Sequence, residues 1–304
     1  MPHVESLHEA REVVVALHCS GGGAGQWREL GVALGPRYVV IAPEHFGCDA
    51  AGPWTGEHPF TLADEAAATL EIVDRMDRAV HLVGHSYGGA VALRVAIERP
   101  HGVASLALYE PSAFHLLKEP GFDGEAAFAE IRDVGQNTVE GVITGDYRGA
   151  AERFVDYWSG AGAWRTLRPA VQAGMTRWLP KAPLDFRATI DEPTAADAYA
   201  QLRMPTLILR GEHAPAPTRV LADALAKLIP AARARVIDGA GHMGPVTHSG
   251  VVNSAIVRHI SACRTRPAGT THASRASADR GPVRGNLPAG RSLLDADCAQ
   301  EQRR

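Results

Sequence analysis

Six apolar runs punctuate the chain. They are Glu12–Leu17 (EVVVAL), Tyr38–Ala42 (YVVIA), Val80–Gly84 (VHLVG), Val103–Tyr109 (VASLALY), Met204–Arg210 (MPTLILR) and a shorter Arg235–Ile237. Most are rich in β-branched residues, four to seven residues long and bounded by Gly or Pro, which is the pattern of strands buried on both faces. Between most of them apolar residues recur at helical spacing. Helices are predicted over Ala24–Leu34, from Thr61 or Asp64 to Met76, from Tyr87 through Ile97, over Pro217–Ile229 and over Val246–Ile260. Strand and helix in alternation predict an α/β fold, with a mostly parallel sheet and right-handed crossovers that place helices on both faces.

The alternation stops between residues 112 and 202. Helical patterns continue there, as at Gly124–Asp133 and Tyr147–Trp158, but no run of strand quality appears. Trp158, Trp164 and Trp178 fall in this segment with Phe114, Phe122, Phe128, Phe154 and Phe186. Past Cys263 all periodicity ends, and eight arginines against four acidic residues lie among small and polar ones. The chain therefore divides into a core of residues 1–111 and 203–262, an all-helical insertion at 112–202 and a tail at 263–304 expected to be disordered.

Composition narrows the function classes. The 304 residues are 45% hydrophobic and 21% charged, as in an ordinary globular protein. A net charge of −3 offers no general attraction to nucleic acid or to an anionic membrane. The segment MPHVESLHEAREVVV carries acids where a signal peptide needs basic residues, and no stretch approaches the ~18 apolar residues of a membrane span. Cys19, Cys48, Cys263 and Cys298 form no Cys-x-x-Cys pair, which fits a reducing, cytoplasmic setting. No cluster has metal-ligand spacing, so neither metal nor cofactor is expected. The expected partner is a small-molecule substrate, and association into a homo-oligomer is left open.

The chemistry concentrates at Gly84-His85-Ser86-Tyr87-Gly88-Gly89, where the third apolar run meets a helix. Strand, sharp turn and helix make this Gly-x-Ser-x-Gly a nucleophile elbow, because only residues without a Cβ let the chain pass close enough to lift the serine above the sheet. A neutral hydroxyl needs a base and a third group to orient that base. His242, in Gly239-Ala240-Gly241-His242, sits on a glycine-rich loop after the last strand; His85, His213 and His248 are its competitors. For the acid, Glu110 stands at the carboxyl end of a parallel strand, where working residues of open α/β sheets collect. Glu212 is the alternative, and Asp238 comes third.

The elbow, His18-Cys19-Ser20-Gly21-Gly22 upstream and Gly239-Ala240-Gly241-His242 near the end together resemble the α/β-hydrolase family over about residues 11–260. The resemblance implies that the order Ser, acid, His is a catalytic triad. It also implies that the backbone N–H groups of Ser20 and Tyr87 form an oxyanion hole, although Cys19 stands where the family usually has glycine. The 112–202 insertion looks like a hydrolase cap, whose Trp158, Trp164 and Trp178 would line the substrate site. The family's usual acid position corresponds to Ala214, but some relatives place the acid where Glu110 stands. The implied function is a serine hydrolase that cleaves a small, largely apolar carboxylic ester through an acyl-enzyme, a carboxylesterase-type activity. Two readings compete with it: hydrolysis of a carbon–carbon bond in a ring-cleavage diketone, with Arg153, Arg165, Arg168 or Arg177 holding the substrate's acid end, and a non-catalytic ligand-binding relative.

Overall fold

The computed structural model describes residues 11–48 and 51–263. The tail expected to be disordered lies, but for Cys263, outside the described residues. Six strands form one sheet: β1 (Glu12–Leu17), β2 (Tyr38–Ile41), β3 (Val80–His85), β4 (Val103–Tyr109), β5 (Thr206–Gly211) and β6 (Ala232–Ile237). Their order is β2-β1-β3-β4-β5-β6, and every neighbouring pair is parallel. Every residue of β1 and β3 is buried, as the uninterrupted apolar runs require. β6 differs. It is an edge strand whose exposed Arg233 and Arg235 keep its open side from pairing, and these arginines shorten the apolar run that marks it in the sequence.

Helices cover both faces. On one side α1 (Arg28–Leu34), preceded by a 3₁₀ turn at Ala24–Trp27, joins the closing helices α11 (Gly244–Thr247) and α12 (Ser249–Ala262). There Trp27, Leu30, Val252 and Ile256 pack on Val14, Ala16, Val83 and Leu209. On the other, α2 (Leu62–Asp74), α3 (Tyr87–Glu98) and α10 (Ala216–Leu228) bury Ala66, Val91, Val95 and Leu221 against Val13, Val15, Leu82 and Ile208. Both start signals of α2 are used: Thr61 and Asp64 form a reciprocal capping box. The single closing helix expected from Val246 is two, because His248 adopts φ −126 and ψ 35 between them.

The segment between β4 and β5 is helical throughout. After a 3₁₀ turn at Phe114–Lys118 come α4 (Glu125–Ile143), α5 (Tyr147–Ser159), α6 (Ala163–Thr166), α7 (Pro169–Trp178), α8 (Ala182–Ile190) and α9 (Ala196–Ala200). α4 runs well past the predicted Asp133. Its later buried positions are Gly135, Thr138 and Gly141, small or polar residues that break an apolar pattern but let Phe186 pack close to the helix.

Candidate active site

β1 and β3 are neighbours, yet the chain leaves them toward opposite sides of the sheet, which opens a crevice at their carboxyl ends. The loop after β1 carries Ser20 and the turn after β3 carries Ser86. Ser86 has φ 54 and ψ −118, a conformation that L-residues rarely adopt. The turn holds because Ser86 N–H donates to Tyr109 O at 2.9 Å, while Ser86 O accepts from Gly89 N–H and Ala90 N–H. A Cβ on Gly84 would lie 2.5 Å from Gly88 O, and one on Gly88 would strike the carbonyls of Leu17 and His18. The glycines of the motif are thus required by close approach of chain to chain.

Three side chains line up at this turn. His242 Nε2 lies 2.9 Å from Ser86 Oγ, and His242 Nδ1 lies 2.7 Å from Glu110 Oε2. A carboxylate only accepts, so Nδ1 carries the proton and the Nε2 lone pair faces the serine. Glu110 also accepts from Gly211 N–H at 2.8 Å and from the Thr218 hydroxyl at 2.7 Å. Burial alone would raise its pKa, but the bonds from His242, Gly211 and Thr218 hold it below the usual carboxylate range. Glu110 sits at φ 43, a left-handed turn that swings its side chain under the histidine loop. Such a chain of hydroxyl, imidazole and buried carboxylate can take a proton from the serine and return it to a leaving group.

The other candidates are placed elsewhere. Glu212 accepts from Gly239 N–H at 2.9 Å on the surface, bracing the loop, and Asp238 is exposed. His213 and His248 are solvent-side. His85 is fully buried and donates from Nε2 to His242 O at 2.9 Å, so it fixes the loop that carries His242. Ala214, at the family's usual acid position, is buried where the chain turns into α10.

On the β1 loop the left-handed turn falls on Gly21, φ 67, so the Cβ of Cys19 meets no conflict. No backbone or side-chain acceptor within the described residues takes the Ser20 or Tyr87 N–H. His18 donates to Cys19 O and accepts from His45 N–H, and burial, with His45 beside it, pushes its pKa down to about 3. Its Nε2, a Glu44 oxygen and Cys48 Sγ also lie within 4.8 Å of one another, close enough to hold a metal ion, a grouping that residues this far apart in sequence conceal.

A cavity of about 350 Å³ opens over Ser86. Trp158, Trp178, Phe154, Phe186 and Met175 supply much of its wall, and Trp158 lies against His242 with ring centroids 4.4 Å apart and planes tilted by 35°. Trp164 is a correction to the sequence reading. It is buried away from this cavity under the Arg148 guanidinium, so its size signals packing between helices and not contact with a substrate. Arg153, Arg165, Arg168 and Arg177 do not line the cavity either.

Several functional neighbours carry no recognisable sequence signal. Ser112 Oγ lies 3.1 Å from Ser86 Oγ, and because the Ser86 proton points to His242, Ser112 is the donor. Thr218 reaches Glu110 from 108 residues away. Lys181 is buried, with Nζ bonded to Glu65 Oε2 at 2.7 Å and to Asp185 Oδ1, beside the Tyr87 hydroxyl at 3.3 Å. Ser112 is an ordinary loop residue by pattern, and Thr218 and Lys181 are ordinary helix residues.

Residues 14–255 match the alpha/beta hydrolase family. The chain belongs to the alpha/beta hydrolase family. It is 30% identical over 267 residues to the polyketide synthase ThaQ of Burkholderia thailandensis, covering 83% of this chain and 12% of that protein. It is 31% identical over 147 residues to the lipase LipV of Mycobacterium tuberculosis, 48% of each. The chain thus matches about half of LipV and a small part of ThaQ. Among solved structures, a bromoperoxidase from Bacillus anthracis superposes with a TM-score of 0.67 at 18% identity, over 84% of this chain and 93% of that one. At that identity the likeness is one of fold. Among the described residues no helix is long and apolar enough to cross a membrane.

Proposed function

We propose that this hydrolase cleaves a small, largely apolar carboxylic ester through an acyl-enzyme. The observation that carries the proposal is the unbroken line Ser86–His242–Glu110, with both contacts at hydrogen-bond length. Ser86 Oγ attacks the ester carbonyl while His242 accepts its proton at Nε2. The Ser20 and Tyr87 N–H groups take the oxyanion, and the helix dipole of α3 adds to them. His242 then protonates the leaving alcohol, and water repeats the sequence to free the acid. The helical segment acts as a cap, and its aromatic wall favours an apolar acyl or alcohol group. Unpaired Cys19, Cys48 and Cys263 accord with a reducing compartment such as the cytoplasm.

Two features weigh against the competing readings. No Arg or Lys lines the described cavity to hold the acid end of a ring-cleavage diketone. An intact proton-transfer chain has no purpose in a non-catalytic binder. The relative LipV is named a lipase, which agrees with ester substrates. The test is hydrolysis of 4-nitrophenyl acetate and butyrate by the purified protein. Turnover that disappears in Ser86→Ala supports an esterase; turnover unchanged in that variant, or none in the wild type, overturns it.

A further inference from the structure

The cavity holds one feature that an apolar ester does not need. Asp185 is the lone carboxyl among the described residues that line it, and it is buried. Lys181 does not require this carboxylate for neutrality, because Glu65 already contacts its ammonium at 2.7 Å. Glu65 itself is fully engaged: it accepts from Phe46 N–H at 2.9 Å and from the Tyr87 hydroxyl at 2.9 Å, with His45 Nδ1 at 3.3 Å. Glu65 and Asp185 therefore share the single ammonium of Lys181, and Asp185 is the one of the two at the cavity wall. Burial raises the pKa of Asp185, and the Glu65 carboxylate adds to that, so this placement costs stability. A buried charge with spare acceptor capacity is expected where a ligand brings a donor.

Ser20 extends the site toward the reacting carbonyl. Its hydroxyl donates to Asp185 Oδ2 at 2.5 Å, so the lone pairs of Oγ are what it offers to the cavity. The N–H of the same residue is the proposed oxyanion donor. N and Oγ of one serine are about 3 Å apart and each hydrogen bond adds about 3 Å, so a substrate oxygen held at Oγ can lie within a few ångströms of the carbonyl oxygen held at N–H. A hydroxyl on the second or third carbon of the acyl chain falls within that reach. The rest of the wall is aromatic and aliphatic, which suits an alkyl chain bearing a neutral hydroxyl better than one bearing a hydrated ammonium.

Resting on the ester-hydrolase reading, we infer that Asp185 and Ser20 form a subsite for a hydroxyl donor, so that the substrate is an ester of a hydroxy acid. Lys181 and Glu65 act behind it as positioning residues that keep the Asp185 carboxylate in place.

The test compares three 4-nitrophenyl esters: butyrate, 3-hydroxybutyrate and 3-fluorobutyrate. The last is similar in size and has no donor. The wild type is expected to favour the hydroxy ester by roughly tenfold in kcat/KM over both others, as for a hydrogen bond to a Ser20 hydroxyl polarised by Asp185. In Ser20→Ala and in Asp185→Asn that ratio should fall toward one, whatever happens to the absolute rates. Equal kcat/KM for the three esters in the wild type overturns the subsite, as does a hydroxy preference that survives in both variants. If the folded wild type cleaves none of the three, the ester reading itself fails and the subsite falls with it. The wild-type ratio stands as a test even if a variant does not fold.

Discussion

His242 Nδ1 and Glu110 Oε2 lie 2.7 Å apart although 132 residues separate them in the chain. Glu110 comes from the end of β4 and His242 from the loop after β6, and β5 runs between those two strands. Glu110 N–H donates to Leu209 O on β5 and its side chain accepts from Gly211 N–H, so the intervening strand holds Glu110 by both ends.

The choice between the two candidate acids is measurable. Glu110→Gln keeps the shape but cannot hold the imidazole in the required tautomer, and kcat for a 4-nitrophenyl ester should fall by ~10³–10⁴. Glu212→Gln should stay within about twofold of wild type, since it removes a surface loop brace. Steady-state kinetics of the two variants side by side decide the matter, and a loss confined to Glu212→Gln contradicts the assignment.

Thr218 is expected to matter through Glu110. Thr218→Val removes one of three donors to a buried carboxylate, and the melting temperature should report a loss of about 1–3 kcal/mol. The drop in kcat should be much smaller than that of Glu110→Gln, because the bond to His242 remains. A loss of kcat as large as that of Glu110→Gln would show that Thr218 has a more direct role.

Lys181 compensates two buried carboxylates, so its removal leaves both uncompensated. Lys181→Met should destabilise the fold by about 3–5 kcal/mol, measured by denaturant unfolding. A triple replacement with Glu65→Gln and Asp185→Asn should recover much of that loss. If Lys181→Met alone is neutral, the charges do not act as a unit.

Acid should destabilise the protein through its buried histidines. Burial holds His115 at about 4 and His18 at about 3, against an ordinary 6.5. Below pH 6.5 the unfolded chain therefore binds protons that the folded chain does not, and stability present at neutral pH is lost as pH falls toward those values. The depression at His115 corresponds to about 3 kcal/mol. Melting temperatures measured from pH 7.5 to 4.5 should fall steadily, and more shallowly in His115→Gln. An identical slope in the variant would exclude His115 as a contributor.

Much of this architecture is legible in the sequence. The strands announce themselves because parallel strands are buried on both faces and so read as unbroken apolar runs; β6 is faint because an edge strand carries arginines. The elbow is legible because Gly84 and Gly88 have no alternative at such close approach. His242 is found by its glycine-rich loop and by its order after the serine. Glu110 against Glu212 is harder, since both stand at loop starts and only the fold shows which one faces inward. Trp164 misleads because a large aromatic residue looks the same in a pattern whether it packs between helices or lines a cavity. Ser112, Thr218 and the Lys181–Asp185 pair are hidden, since each gains its meaning from a partner distant in sequence.

The most direct measurement is reaction with a fluorophosphonate, which phosphonylates only an activated serine, followed by intact mass and peptide mapping. An activated Ser86 predicts one adduct per chain, located on Ser86, absent in Ser86→Ala and formed more than ~10² times more slowly in His242→Ala. No adduct on the folded wild type, or an adduct on another serine that forms equally well without His242, would contradict the assignment of Ser86 as nucleophile.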